Sequence, residues 1–438
     1  MTAHAQAILA LVIFFGAYAL IATDRIHRTI VALGGAGLVL ALRVIDQRTA
    51  FNSVDWNTVF LLLSMMIIVA ITKRTGVFQW LAIKSAKAAR ADPLRMIIFF
   101  SLITALVSAF LNNVTTVLLI APVTMLIAEA LSISPVPFLI SEVLASNIGG
   151  TATLIGDPPN IMIGSAAGLG FVTFVAHLTP VVAIILIVYP ATVRLLFRRS
   201  LVIAEEARAS IYEFDESKAI TNRPLLRRCL AVLGLTLVGF FLHEWLHLEA
   251  ATIALAGAAL LLVVSRADLE EVLHEIEWPT LLFFVGLFIL VAGLVETGVI
   301  RAISSRLLSL ASRSIPLTAI ALLWVSAALS AVVDNIPFVA TVNPMLLEVA
   351  KGLAAPGAAF NDVVHAPHML PLWWSLALGA CLGGNGTIIG ASANVVVAGV
   401  AERAGYRITF AEFLKYGVPV VIESLIISSA YLYLRYLM

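Results

Sequence analysis

Residues 149–160 read GGTATLIGDPPN, and residues 383–394 read GGNGTIIGASAN. Each string opens on a Gly pair, carries a further Gly six residues after that pair and closes on Asn, and each interrupts an apolar run long enough to cross a membrane. Neither string continues as a helix. A Gly costs about 1 kcal/mol in a helix interior and a Pro about 3 kcal/mol, and Pro158 and Pro159 also lack the N–H that a helix would use. Unwound backbone at membrane depth persists only where it is buried in protein or lines a wet cavity. Two such breaks therefore present peptide groups to something polar inside the bilayer.

The resemblance spreads outward from the breaks. DWNTVF at 55–60 returns as EWPTLL at 277–282, Thr75-Gly76-Val77 as Thr297-Gly298-Val299, FLNNVTTV at 110–117 as VVDNIPFV at 332–339, and Pro122 as Pro344. All of these pairs lie 222 positions apart, whereas the breaks lie 234 apart, so the second copy of 54–164 carries a 12-residue insertion. A duplicated apolar chain whose halves are interrupted by Gly, Asn, Asp and Pro is the pattern of a secondary transporter.

Composition agrees. The chain is 61% hydrophobic and 12% charged, where soluble domains carry about 25% charge; this is a polytopic membrane protein built of α-helices, since the apolar stretches run to helical length without strand-like alternation. Two cysteines, Cys229 and Cys381, exclude a disulfide framework. The first apolar span follows no basic leader and reads as a helix, not as a cleaved signal.

Ten crossings are expected, near 7–23, 29–45, 56–73, 137–165, 172–196, 225–243, 249–265, 278–296, 372–400 and 416–437. Segments 96–130 and 316–350 are too long for one span and polar at the middle. A limb such as 96–110 reaches about 22 Å as helix against a hydrocarbon core of about 30 Å, so both segments are expected as re-entrant hairpins turning at Asn112-Asn113 and Asp334-Asn335. With ten crossings both termini share one side, and 20 of the 27 Lys and Arg residues fall on the other. The positive-inside rule makes that basic side the cytoplasm and places both termini outside a cytoplasmic (inner) membrane. The second copy starts on the opposite side from the first, so the repeats are inverted. The expected organisation is N-terminal scaffold helices at 1–53, a first transport repeat at 54–198, a cytoplasmic linker with scaffold helices at 199–275, and an inverted second repeat at 276–438. The charged stretch 198–224 reads as a short helix and loop, and the insertion at 352–371 as an outward-facing loop.

The residues that carry chemistry sit at the breaks and the hairpin tips. Thr151, Thr153, Asn160, Asn385, Thr387, Ser392 and Asn394 supply hydroxyls and amides at the breaks, beside Gly156 and Gly390. Asn112, Asn113, Thr115, Thr116, Asp334 and Asn335 supply the tips. Together they outline one site near the midplane, where half-helix N-termini face an anionic or oxygen-rich solute; the competing reading is helix packing with interhelical hydrogen bonds. Asp157 and Asp334 are the deepest acids expected, and the matching positions of the other copy hold none. An ionised carboxylate at that depth costs about 2.5–3.5 kcal/mol on the lenient scale, which marks these two as candidates for coupling to a proton or sodium ion. Glu142 is a third candidate. No resident cofactor or metal is expected. One motif points elsewhere: His243-Glu244-Trp245-Leu246-His247 matches H-E-x-x-H, a zinc-hydrolase signature, although it lies outside both repeats with no third ligand nearby.

The strings FLNNVTTVLLIAPVT, NIGGTATLIGDPPN and LGGNGTIIGASANVVVAG resemble the ion transporter superfamily, in the branch of the arsenite-efflux permeases (ArsB), the NhaD-type sodium/proton antiporters, the plant silicic-acid effluxers and the P proteins, and are most similar to the P protein side. The resemblance runs from about residue 54 to the C-terminus. It implies an elevator-type carrier, usually a homodimer, with a scaffold and a transport domain. It further implies a small inorganic ion or oxyacid as cargo, with arsenite or antimonite efflux first and sodium/proton exchange next. Related dicarboxylate carriers place Ser-Asn-Thr at both tips; this chain has Asn112-Asn113-Val114-Thr115 and Asp334-Asn335-Ile336-Pro337 there, so a dicarboxylate cargo does not carry over.

Overall fold

A computed structural model describes residues 2–23, 25–90, 92–197, 215–354 and 359–438, and among these the regular structure is entirely helical. Among the described residues eight helices are long and apolar enough to cross a membrane. The first half comprises α1 (Ala3–Thr23), α2 (Arg28–Ala41), α3 (Gln47–Asn52), α4 (Trp56–Lys73), α5 (Val77–Ala88), α6 (Pro93–Ser108), α7 (Asn113–Ala130), α8 (Val136–Gly150), α9 (Pro158–Ala167) and α10 (Phe171–Phe197). After the short α11 (Glu216–Ala219) come α12 (Arg223–Leu242), α13 (Ala250–Ser265), α14 (Leu269–His274), α15 (Trp278–Glu296), α16 (Val299–Arg313), α17 (Ile315–Ser330) and α18 (Asn335–Leu353). The chain closes with α19 (Phe360–Val364), α20 (Leu370–Gly383), α21 (Ser392–Arg403) and α22 (Phe410–Leu432). Most of the expected linker helix, residues 198–214, and residues 355–358 of the insertion lie outside the described residues.

The two hairpins return to the face they left, and their neighbours prove it. Phe100 meets Phe138, Ser101 meets Ser141 and Ser108 meets Ser146, so α6 and α8 run side by side in the same direction. Both therefore start at one face, and α7, which links them, has to come back. In the second half Leu323 and Ser326 meet Gly379, Ala327 meets Gly383, and the Ser330 hydroxyl donates to the Ala380 carbonyl at 2.6 Å. The pair α17 and α20 repeats the geometry.

The duplication reaches further back than the polar punctuation of the sequence suggests. The 222-residue offset already relates α2 to α13, α3 to α14 and α4 to α15. Asp46 caps α3 by accepting from the Arg48 and Thr49 amides, and Asp268 caps α14 by accepting from Glu270 and Glu271. The Thr49 hydroxyl and amide hold the Asp46 carboxyl below its ordinary range. Apart from the site described below, ion pairs join segments that the ten-crossing reading places on the same face: Lys73 and Arg74 with Glu275, Arg74 with Glu271, Lys87 with Glu216, and Arg301 with Glu348.

Glycine makes the close contacts between hairpins and broken helices. A Cβ on Gly149 would sit 2.0 Å from the Ala105 carbonyl oxygen, and one on Gly383 would sit 2.4 Å from the Ala327 Cα. Neighbouring backbones leave no room for either. Gly149→Val or Gly383→Val should cost about 1–3 kcal/mol by overpacking and lower the thermal unfolding midpoint of the detergent-purified protein. Gly34→Ala, where a Cβ meets nothing within 4 Å, should leave that midpoint unchanged; equal effects at all three positions would refute this packing.

Candidate transport site

The breaks are closed by side chains that replace the lost helical hydrogen bonds. Asn160 donates its amide to the carbonyls of Thr151 at 3.1 Å and Thr153 at 2.9 Å, and Asn394 does the same to Gly384 and Thr387, both at 2.8 Å. The Thr153 hydroxyl donates to the Ala109 carbonyl, and the equivalent Thr387 hydroxyl to the Ala331 carbonyl. Gly156 lies against Gly150 and Ser108, and Gly390 against Gly384 and Ser330. Thr151 returns its hydroxyl to the Asn147 carbonyl at 2.8 Å. Thr151, Thr153, Asn160, Thr387 and Asn394, all expected at the site, hold the unwound chain in shape by binding peptide groups.

One residue that the sequence did not single out joins the two halves. Asn147, fully buried on α8, accepts from the Asn113 amide at 3.0 Å and donates to Asn385 at 2.8 Å and Asn394 at 2.9 Å. Asn385 in turn donates to the Leu144 carbonyl at 3.0 Å, and Asn343 to the Met162 carbonyl at 3.0 Å. Hairpin tips and breaks from both copies are thereby one hydrogen-bonded unit.

Facing this unit is a small cavity of about 10 Å³ lined by Arg28, Asn112, Asn113, Asp157, Glu277, Thr280, Asn335 and Ser392, which is close to the space one water requires. Asn112 caps α7 and Asp334 caps α18, each accepting from the amide two residues on. The Asn113 amide N–H donates to the Gly156 carbonyl at 3.1 Å, locking the first tip to the first break. Asn335 donates to both oxygens of Asp157 at 3.4 Å, linking the second tip to the first half's acid, which is 1% exposed. Asp334 accepts from the Arg28 guanidinium at 2.7 Å and from the Ser392 hydroxyl at 2.8 Å, and Arg28 also reaches Ser392. Arg28 lies over the Phe283 ring at 5.1 Å.

Three further expectations are located. Thr115 and Thr116 lie on α7 away from the cavity lining, and the buried Thr116 hydroxyl has no hydrogen-bond partner among the described residues. Glu142, 2% exposed, accepts from Thr124 at 2.6 Å and takes no part in lining the cavity. The H-E-x-x-H segment forms the turn between α12 and α13. His243 Nδ1 donates to the Leu248 carbonyl at 3.1 Å, and His243 Nε2 accepts from the Phe171 amide at 3.0 Å, so both ring nitrogens are committed to backbone. This describes a capped turn, not a zinc ligand.

Arg28, Asn147, Glu277 and Thr280 are the lining or linking residues that sequence reasoning missed. Arg28 read as a loop cation at the start of a span, and Glu277 only as a marker of the repeat. The signal available for Asn147 was a lone amide in an apolar helix, two residues before the first Gly pair.

Re-entrant tips and unwound helices meeting at a small polar cavity inside an all-helical membrane fold define a transporter. The chain belongs to the CitMHS family, described as citrate transporter, whose family model matches residues 18–379. A protein of Mycobacterium tuberculosis named as an uncharacterized transporter is 47% identical over 435 residues, covering 98% of this chain and 99% of the relative. The 46 kDa membrane protein of Mycobacterium leprae is 44% identical, with 99% of each covered. The human P protein is 36% identical over 98% of this chain and 60% of its own length. The crystal structure of the YdaH transporter from Alcanivorax borkumensis superposes with a TM-score of 0.56 at 12% identity, covering 97% of both chains, and shares the fold.

Removing Asn147 would leave buried amide groups of Asn113, Asn385 and Asn394 short of partners, at about 1–3 kcal/mol for each group left unsatisfied. Asn147→Ala should therefore unfold at markedly lower temperature in detergent than the wild-type protein. A midpoint within error of wild type would show that these bonds do not hold the halves together.

Proposed function

We propose that this chain is a secondary active carrier of a small inorganic ion or oxyacid, driven by a proton or sodium gradient through Asp157 and Asp334. The observation that carries this reading is the convergence of two hairpin tips and two breaks on one cavity whose lining includes the carboxylates of Asp157 and Glu277 and which Asp334 borders through Arg28 and Ser392. The hydrogen-bonded unit of tips and breaks supports an elevator-type movement. If α4 and α15, which open the two expected transport repeats, are grouped with α1, α2, α12 and α13 as scaffold, the hydrogen bonds from these helices to that unit come, among the described residues, from two side chains, Arg28 to Asp334 and Ser392, and Tyr18 to the Pro337 carbonyl and Thr341. Few bonds would have to break for the unit to slide past these helices.

The charge of the site bears on its cargo. Three carboxyl groups stand against one guanidinium, and with two or more of them ionised the arrangement repels a citrate trianion and attracts a small cation. Sodium/proton exchange accordingly draws more from this geometry than arsenite or antimonite efflux. The oxyacid reading rests on the neutral amides and hydroxyls of Asn112, Asn113, Asn335 and Ser392 in or beside the same cavity. Cys381 does not line the cavity; its buried thiol lies against Asn160 at 3.5 Å and against the Asp157 carboxyl. The positive-inside distribution supports an inner-membrane location with both termini outside, and the family resemblance supports a homodimer.

The test is flux in proteoliposomes of the purified protein, with sodium, arsenite, antimonite and citrate as cargoes under imposed proton or sodium gradients. Wild-type protein should move one of the inorganic solutes and not citrate, and Asp157→Asn and Asp334→Asn should each reduce gradient-driven flux to background. Intact driven flux in both variants would exclude coupling through these acids, and citrate uptake would overturn the cargo class.

A further inference from the structure

The ion pair of Arg28 with Asp334 stands alone in its place. It is the charged tie from the scaffold to the unit of tips and breaks among the described residues. It breaks the internal symmetry of the chain, since the 222-residue offset carries Asp334 back to Asn112 and Arg28 forward to Ala250. Tyr18, the other side chain that bridges the seam, corresponds to Phe240 by the same offset. The N-terminus of α13, equivalent to that of α2, opens onto a cavity of about 670 Å³ whose lining includes His243, Glu244, Glu249, Ala250 and Ala251 and no residue of a hairpin tip. So at one end of the scaffold a hairpin tip is clasped by a cation, and at the pseudo-equivalent end neither the acid, the arginine nor the contact is present.

Asp334 Oδ2 is the shared atom. It takes the Arg28 guanidinium at 2.7 Å and the Ser392 hydroxyl at 2.8 Å, with Arg28 also on the Ser392 oxygen. Carboxylate and hydroxyl oxygens beside the Asp157 carboxylate are the ligands a hard monovalent cation takes, and here a guanidinium nitrogen holds their lone pairs. A buried carboxylate stripped of its partner is strongly destabilised. Asp334 therefore leaves Arg28 at low cost when a metal ion or a proton replaces it.

We propose that Arg28 is a tethered stand-in for the coupling cation: its guanidinium and a free alkali-metal ion compete for one site formed by Asp334 and Ser392. The inference rests on the cation-coupled carrier reading above and deepens it. Loading the ion releases the clasp, and the unit of tips and breaks moves away from α2 with its acid neutralised. Without the ion the clasp re-forms and holds the unit in place. Because the other half has Asn112 and Ala250, the lock operates at one end of the movement only.

The experiment is a cation titration of thermal unfolding on the full-length protein in detergent. Sodium, lithium and rubidium chlorides are exchanged against N-methyl-D-glucamine chloride at fixed ionic strength. Relative to wild type, Arg28→Gln should be stabilised at half-saturating sodium or lithium concentrations lower by about tenfold or more, since the competitor is gone. Arg28→Gln/Asp334→Asn should lose the response. Should Arg28→Gln not yield folded protein, Arg28→Lys is read instead, because an ammonium binds as a point charge without the bidentate fork; its half-saturation should fall between the expected values for wild type and Arg28→Gln. A titration in either single variant that superposes on wild type, or a response surviving in the double variant, overturns the inference. If wild-type proteoliposomes carry solute under a gradient while the Arg28 titration is unchanged, the tethered cation alone is wrong. If wild-type protein moves no solute under any gradient, it is the carrier reading that fails.

Discussion

A peptide group that leaves its helix inside a bilayer has to be satisfied by protein, and the architecture of this chain follows from how that demand is met. At each break one Asn side chain spans the opening and binds two carbonyls, Asn160 in the first half and Asn394 in the second. Each hairpin brings a carbonyl of its tip to the Thr hydroxyl of the neighbouring break. The glycines that keep these parts at backbone contact make the bonds reachable. Break, clamp and hairpin are one device, and the chain contains it twice. Apolar packing alone discriminates weakly between helices surrounded by lipid, so the amide bonds through Asn147 are what assign the two devices to one body.

Duplication supplies the machine, and departures from it supply the chemistry. The clamps, caps and close contacts match between halves almost bond for bond. Of the charged groups at the cavity, only Glu277 has a charged counterpart, Asp55. Asp157 answers to Ala391, Asp334 to Asn112 and Arg28 to Ala250. A symmetric site would have no means of telling one end of a movement from the other. Asp157, Asp334 and Arg28 make the electrostatics around the cavity asymmetric while the frame stays common to both halves.

How much of this was legible in the sequence depends on contrast. Polar residues in apolar surroundings stood out, so the breaks, the tips, Asp157, Asp334 and Ser392 were all readable, as was the return of each hairpin from the length of its limbs. Arg28 was not, because a basic residue just ahead of a span looks like any loop cation; only the fold brings it to a tip 306 residues away. Asn147 was hidden for a similar reason, its partners lying as far off as 247 residues. The common ancestry of α2 and α13 was invisible because two apolar helices share no punctuation to align. The H-E-x-x-H match misled in the opposite sense. Its residue types are those of a metal site, but the backbone partners of His243 are set by where α10 begins, which no local spacing reports.

The distribution of roles among the expected site residues carries a general physical point. Amides and hydroxyls at a break serve two masters, peptide groups and solute, and a buried peptide group without a partner is the more expensive omission. Thr151, Thr153, Asn160, Thr387 and Asn394 are accordingly spent on backbone, and what remains to face the cavity is what stands at the helix N-termini: Asn112 and Asn113, Asp157, Asn335 and Ser392. Helix N-termini favour anions, and here several of them are already answered by the protein's own carboxylates. The acids and the arginine around this cavity therefore stand where the bare half-helices alone would favour an anion. Within a family described by citrate transport, the side chains at the tips and at the start of α2 are the place where a difference in cargo between members would be written.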